Sequence, residues 1–182
     1  MEAVPMEPDT DMGSPSWSPD GQSLMVNRWQ PRALLETMEV CVLNLKTRQT
    51  VPLPESQGLL RPEWSPDGQY VAALREGGSQ VVLYSIASHQ WFRIAEGANY
   101  GIPFWTRDSR YFYFQEVLGD ADQPIFRVHA ATRAAERMMS SQQLPQSGFS
   151  GYTLTGLTPG GAPIATVLRS NGDIYGLDVD LP

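Results

Sequence analysis

One motif occurs three times in the sequence and a fourth time in a weaker form. The clear copies read SPSWSPDGQ at residues 14–22, RPEWSPDGQ at residues 61–69 and IPFWTRDSR at residues 102–110, and the weaker copy reads TGLTPGG at residues 155–161. The anchors of the four copies, which are 47, 41 and 52 residues apart, are Trp17, Trp64, Trp105 and Leu157. A period of about 40–50 residues is typical of arrays built from one supersecondary unit. The repeat therefore predicts a single domain made of similar units along all 182 residues.

Each repeat continues with short runs of β-forming residues. The three positions that begin seven residues after each anchor are mostly apolar, at residues 24–26, 71–73, 112–114 and 164–166. After a loop of variable length, a second pattern recurs at residues 42–45, 83–86, 125–128 and 174–177, and a last short run follows at residues 51–53, 91–94 and 137–139. Turn residues bound these runs, as they do in strands. Each unit is therefore predicted to be a four-stranded sheet.

The link between the first two strands of a unit has the composition of a tight turn. The sequence SPDG at residues 18–21 and 65–68 has Pro in the second position and Gly in the fourth, as a type I turn prefers. The Asp side chain can accept hydrogen bonds from nearby backbone N–H groups, and Gly can adopt positive φ. The structural residues predicted in these turns are Asp20, Gly21, Asp67 and Gly68.

A sheet of about 40 residues cannot bury both of its faces alone, whereas sheets stacked around an axis cover one another. The predicted fold is therefore all-β, a β-propeller of about four blades. Its packing anchors, expected to be buried between sheets, are Trp17, Trp64 and Trp105. The predicted blades are residues 12–54, 60–95, 100–139 and 150–182.

Residues 4–6 are expected to form an additional outer strand. VPMEP at residues 4–8 resembles VPLPE at residues 51–55, and both segments begin 13 residues before an anchor Trp. Two arrangements remain open: a closed four-bladed ring that residues 4–6 complete, and the C-terminal arc of a larger propeller of six to eight blades. Four blades require a very tight ring, and an arc exposes sheet edges that proteins normally protect.

The core of the motif, Pro-x-Trp-Ser-Pro-Asp-Gly, resembles the WD-like repeat of TolB-type β-propellers, which also forms the propeller of prolyl-oligopeptidase-type peptidases. The resemblance covers nearly the whole chain and implies the propeller fold. Residues 126–128, 151–164 and 173–182 are similar to the terminal blade of acidobacterial regulators, in which a winged-helix or kinase domain precedes the propeller. This second resemblance implies a larger signalling or transcription-regulator protein whose propeller ends at Pro182, and neither partner domain lies in this chain.

Composition argues against several classes of function. The 13 basic and 20 acidic residues give a net charge of −7, and Lys46 is the single lysine, so we expect no nucleic-acid binding by this chain alone. No apolar stretch reaches the ~18–20 residues of a membrane span, and residues 1–9 do not read as a signal peptide. Cys41 is the single cysteine, which excludes an intrachain disulfide and does not identify the compartment.

The sequence does not predict a catalytic or metal site. The string closest to a nucleophile elbow, residues 148–151, has the wrong spacing. The two histidines, His89 and His129, belong to different repeats, and the turn aspartates occur once per repeat. We therefore expect no enzyme activity, no metal and no cofactor.

A binding surface is the better prediction. Loops that follow the second strands and the entries to the inner strands should converge at one end of a propeller, and they are rich in Arg, Trp and Tyr, the types enriched at interface hot spots. The candidate binding residues are Arg28, Trp29, Arg61, Glu63, Arg75, Tyr100, Glu116, Tyr152 and Arg169. The sequence thus favours a non-catalytic binding or sensory module for a protein or small ligand. The alternative is the substrate-gating propeller of a prolyl-oligopeptidase-type peptidase.

Overall fold

The computed structural model describes residues 10–32, 34–97, 99–118, 122–143 and 149–169. These residues form fifteen strands in four antiparallel sheets that follow one another along the chain. Sheet 1 contains β1 (Asp11–Trp17), β2 (Ser23–Trp29), β3 (Glu39–Asn44) and β4 (Thr50–Pro52). Sheet 2 contains β5 (Leu59–Trp64), β6 (Tyr70–Arg75), β7 (Gln80–Ser85) and β8 (Gln90–Glu96).

Sheets 3 and 4 are less regular than the first two. Sheet 3 contains β9 (Asn99–Tyr100), β10 (Phe104–Trp105), β11 (Tyr111–Leu118), β12 (Ile125–His129) and β13 (Ala135–Met139). Sheet 4, within the described residues, pairs β14 (Phe149–Leu157) with β15 (Pro163–Arg169). Single 3₁₀ turns occur at Leu35–Thr37, Glu76–Gly78 and Ser141–Gln143. No helix in this part of the chain is long and apolar enough to cross a bilayer.

The inner sheets are covered on both faces, and this explains the continuous apolar runs of their second strands. In β6, Val71 and Ala73 face the core shared with sheet 1, whereas Ala72 and Leu74 face the core shared with sheet 3. All four residues are buried. Tyr113 of β11 faces a third core, which it shares with sheet 4. The sheets therefore stack face to face in chain order, and the all-β propeller prediction is confirmed.

The turns between first and second strands form as their sequences predict. Asp20 accepts hydrogen bonds from the Ser18 hydroxyl at 2.6 Å and from the Gln22 N–H at 3.0 Å. The hydrogen bond from Ser18, followed by the backbone bond, lowers the pKa of Asp20. Asp67 accepts the equivalent bonds in sheet 2, and Asp108 accepts them in sheet 3. The carboxylates thus cap their own turns.

Two of the three anchor tryptophans pack between sheets, and the third does not. Trp64 packs into the core between sheets 1 and 2, and Trp105 stacks on Tyr70 of sheet 2 at 6.3 Å between ring centroids. The Trp105 indole N–H also donates to the carbonyl of Glu63 at 2.9 Å. Each ring therefore lies against the preceding sheet. Trp17 is 63% exposed, contrary to the prediction, because no described sheet precedes sheet 1.

The observed sheets span residues 11–52, 59–96, 99–139 and 149–169. Residues 4–6 and 174–177, on which ring closure depends, lie outside the described residues. The choice between a closed ring and an arc therefore stays a prediction.

Candidate functional site

Four cavities lie at the end of the sheets where inner strands begin and second strands end. Cavity A, of about 580 Å³, lies beside the ends of β2 and β3. Cavity B, about 170 Å³, lies between sheets 1 and 2; cavity C, about 360 Å³, between sheets 2 and 3; and cavity D, about 180 Å³, between sheets 2, 3 and 4. Trp29 lines A and B, and Arg61 lines B, C and D. The four cavities therefore adjoin, and we call their combined walls the loop-end surface.

Cavity A combines an aromatic ring with paired charges. The Arg28 guanidinium lies 2.9 Å from the Glu39 carboxylate, and both side chains are about three-quarters buried. Trp29 follows in β2, and its Cη2 atom lies 3.0 Å from the point where a Cβ on Gly13 would stand. Glycine at position 13 therefore allows the indole to lie directly against the inner strand of its own sheet. The cavity wall thus has a fixed aromatic face beside a neutralised ion pair.

Arg61 occupies the centre of the loop-end surface, where its backbone is held by the neighbouring sheet. Its N–H donates to the Asn27 side-chain oxygen at 2.8 Å, and Asn27 in turn donates to the Leu59 carbonyl at 2.8 Å. Asn27 is 3% exposed, so this interaction is buried between sheets 1 and 2. The Arg61 φ of 53° lies in the left-handed region, as does that of Ser14, its repeat equivalent. The pairing register shifts at both positions, between Gly13 and Ser16 and between Leu60 and Glu63. The first two repeats therefore share this bulge, whereas the guanidinium belongs to Arg61 alone.

A second side-chain amide holds sheet 4 in the same way. Gln115, 1% exposed, donates to the Tyr152 carbonyl at 3.0 Å and accepts from the Leu154 N–H at 2.7 Å. Leu74 stands at the equivalent position of sheet 2 and has no hydrogen-bonding group. The inner strand of sheet 3, which would face Leu74, is divided into β9 and β10. We call Asn27 and Gln115 the amide staples.

Sequence reasoning missed the amide staples as structural residues. The sequence does contain a signal for them, because Asn27 and Gln115 are polar residues at a repeat position that carries Leu74 in sheet 2. A polar residue at the end of an otherwise apolar run must find buried partners, and here these partners are backbone groups of the next sheet.

Glu63 is a half-buried carboxyl group two residues after Arg61. Burial raises its pKa from 4.5 to about 7, and a hydrogen bond from Ser16 partly opposes that effect. Ser16 itself accepts the Trp64 N–H at 2.9 Å, so the group lies at the junction of sheets 1 and 2. Glu63 does not line any of cavities A to D.

The structure brings four of the predicted binding residues into the walls of adjoining cavities, namely Arg28, Trp29, Arg61 and Tyr100. Tyr100 is 8% exposed and packs edge-on against Phe114 at 5.3 Å. Burial raises the pKa of its hydroxyl, and the nearby Glu116 and Glu96 carboxylates add to this effect.

The other predicted binding residues lie elsewhere or have structural partners. Arg75 donates to the Gln80 side chain at 3.0 Å, and Glu116 pairs with Tyr100 across β11 and β9. Tyr152 is 2% exposed, contrary to a surface role, because its ring packs between sheets 3 and 4 and its hydroxyl donates to the Gln123 carbonyl at 2.5 Å. The Arg169 side chain lies outside the described part of the chain.

Within the described residues, His, Cys, Asp and Glu side chains do not form a group of three or more that could hold a metal ion. The loop-end surface offers for recognition an aromatic ring, charged groups that include the Arg61 guanidinium and the Glu36 carboxylate, and neutral polar groups.

Stacked four-stranded sheets with a concave surface at one end define a β-propeller protein. The chain is similar in structure to TolB from Acinetobacter baumannii, with a TM-score of 0.66 and 19% identity over 93% of this chain and 40% of TolB. It is also similar to an oligogalacturonate lyase in complex with manganese, with a TM-score of 0.64 and 18% identity over 84% of this chain and 47% of the lyase. The β-propeller domain of the Trilobed protease from Pyrococcus furiosus, which has an open velcro topology, gives a TM-score of 0.58 and 15% identity over 75% of this chain and 43% of that domain.

These likenesses show the fold, a TolB-like propeller. The chain spans 40% and 47% of the lengths of the first two structures. No family model matches the sequence, and a search of curated proteins finds no significant match. The structural neighbours include a lyase and a protease as well as TolB, so they do not favour the peptidase-gating alternative over a binding module.

Proposed function

We propose that the chain is a non-catalytic binding module of the β-propeller class and that its ligand binds at the loop-end surface. The observation that carries the proposal is the continuity of the four cavities, which meet at Trp29 and Arg61. Small-ligand sites in proteins are concave, largely preformed and lined by apolar groups with a few fixed polar ones. The resemblance of residues 126–128, 151–164 and 173–182 to acidobacterial regulators supports a sensory role for the module within a larger signalling protein.

Preformation is supported by the packing beneath the surface. Asn27 holds the backbone of Arg61, the Trp29 ring lies against Gly13, and Tyr100 packs on Phe114. Ligand binding therefore needs little ordering of these groups, and less binding free energy is lost to conformational entropy.

The test is a ligand screen read by two-dimensional NMR on the full chain, with a mixed library of small metabolites and short peptides. We expect hits to shift the amides of residues in cavities A to D and to lose at least fivefold in affinity in Trp29→Ala. Trp17→Ala is the matched control, because Trp17 is an exposed indole at the opposite end of the same sheet. Hits that map to the opposite end, or that are insensitive to Trp29→Ala, contradict the proposal.

The non-catalytic part of the proposal has its own assay. We expect no turnover of p-nitrophenyl esters or of Xaa-Pro peptide substrates by the purified chain. Turnover that disappears in Ser150→Ala would show a serine hydrolase activity and overturn this part.

A further inference from the structure

Of the residues that the structure describes, Arg61 is the only charged one in the walls of cavities B, C and D. The remaining wall residues are apolar or neutral and polar, including Leu60, Ile102 and Val117 on the apolar side. Among the described residues, the guanidinium of Arg61 has no carboxylate within ion-pair distance. Arg61 is an exposed residue, and it lines all three cavities. Three adjoining cavities therefore share one uncompensated positive charge.

Four other arginines of the described chain have a carboxylate partner, and Arg61 differs from every other described arginine in lining three adjoining cavities. Arg28 pairs with Glu39, Arg93 with Glu96, Arg127 with Glu136, and Arg137 with Asp122. The sequence has 20 acidic residues, and carboxylates are therefore abundant as partners. A cation without a carboxylate partner beside cavities with apolar walls attracts an anion, because the low-dielectric walls of a cleft focus its field.

The shape of the Arg61 guanidinium favours a carboxylate as the bound anion. A guanidinium presents a planar fork of N–H donors that matches the two oxygens of a carboxylate, and such charge-assisted pairs are stronger than neutral hydrogen bonds. The apolar walls beside Arg61 can pack against a hydrocarbon group of the ligand. Cavity C, at about 360 Å³, has room for a group the size of an amino-acid side chain. The backbone of Arg61 is held by Asn27, which fixes where the side chain starts.

We propose that Arg61 binds the carboxylate of a ligand whose adjoining part is apolar and enters cavity C or D. A small apolar carboxylic acid and the C-terminal residue of a peptide share this chemistry. The assignment rests on the proposed function, because it names the ligand class of the same surface.

The experiment uses two probes with matched neutral forms: 4-phenylbutyrate with 4-phenylbutyramide, and the acetylated tripeptide Ac-Ala-Leu-Phe with a free or an amidated C-terminus. Binding to the full chain is measured by NMR titration. We expect at least one acid to bind and its amide to bind about tenfold more weakly or worse, as for loss of a charge-assisted bond. A tighter small acid identifies a metabolite-like ligand, and a tighter peptide identifies a peptide C-terminus.

Arginine variants show whether the acid binds the Arg61 guanidinium itself or responds only to the net charge of the protein. Arg61→Gln should weaken the acid about tenfold and leave the amide unchanged, and Arg61→Lys should weaken the acid by a smaller factor. Arg93→Gln is the matched control, since Arg93 is an arginine on an outer strand that is paired with Glu96. The affinity of the Arg93→Gln protein for the acid should stay within twofold of wild type. The comparison of acid and amide on the wild-type chain needs no variant and stays valid if Arg61→Gln folds poorly.

The outcomes distinguish this proposal from the proposed function. Equal affinities for acid and amide, no binding of either acid up to 10 mM, or insensitivity to Arg61→Gln overturns the carboxylate assignment. If library hits still depend on Trp29 in that case, the binding module stands with a different ligand class. If they do not, both proposals fail.

Discussion

Replacement of Glu63 by glutamine should make the protein more stable at alkaline pH and leave its stability unchanged in acid. Glu63 is half buried at the junction of sheets 1 and 2, where burial raises its pKa from 4.5 to about 7. The folded state therefore binds a proton between these two pH values that the unfolded state does not bind. The free energy of unfolding contributed by this group is fully present below about pH 4.5 and falls as the pH rises through 7.

The magnitude follows from the size of the shift. Each pKa unit corresponds to about 1.4 kcal/mol, so a rise from 4.5 to about 7 sets an upper limit of about 3.4 kcal/mol. The carboxylate keeps part of its hydration because it is only half buried, and we therefore expect Glu63→Gln to add about 1–2 kcal/mol above pH 8.

The assay is urea unfolding followed by tryptophan fluorescence at pH 4.5, 6, 7 and 8.5, for wild type, Glu63→Gln and a control. Glu55→Gln is the control, because Glu55 is an exposed carboxylate in the loop after β4. The difference between Glu63→Gln and wild type should grow with pH, whereas that for Glu55→Gln should stay flat. A difference that is constant with pH, or a loss of stability in Glu63→Gln at pH 8.5, would refute the reasoning.

Three further predictions concern the packing between sheets, and each is checked by urea unfolding. Trp64→Ala should cost about 3–5 kcal/mol, the range for large aromatic residues in a core. Trp17→Ala should cost less than about 0.5 kcal/mol because that ring is exposed. Equal losses would show that Trp64 is not an inter-sheet anchor. Gly68→Ala should be more damaging than Gly21→Ala, since both glycines have positive φ but only a Cβ at position 68 meets the proline ring of the preceding turn, at 3.2 Å; the reverse order would contradict the packing of the turns. Asn27→Ala should cost about 1–3 kcal/mol because it leaves the buried Leu59 carbonyl and the partly buried Arg61 N–H without their partner. A loss below about 0.5 kcal/mol would mean that water replaces the amide.

The repeat was sufficient to predict the strands, the turns and the stacking of sheets, because these depend on local patterns that each copy carries. Asp20 and Asp67 cap their turns through bonds within five residues of sequence, which a motif can encode. The environment of Trp17 could not be read from the motif, since it depends on whether a sheet lies before it. Trp17 and Trp64 therefore differ in burial although they occupy the same position of the motif.

The candidate site was predicted only in part for a similar reason. Loop position placed Arg28, Trp29 and Arg61 correctly at one end of the sheets, but it placed Tyr152 there as well. Tyr152 follows a bulged stretch of β14 and points into the core between sheets 3 and 4, and register at a bulge is set by tertiary contacts. Whether an arginine has an acidic partner likewise depends on contacts between distant segments, which one sequence does not reveal.

The amide staples give the molecule two built-in probes of blade separation. The N–H groups of Arg61 and Leu154 donate to side chains of a neighbouring sheet, so their exchange with deuterium requires two sheets to part while each sheet can stay intact. Amides in the ladder between β6 and β7 exchange only when a sheet itself opens. Comparison of the two kinds of amide would measure the free energy of opening each stapled contact separately from unfolding. It would also show whether a ligand at Arg61 tightens the contact between sheets 1 and 2.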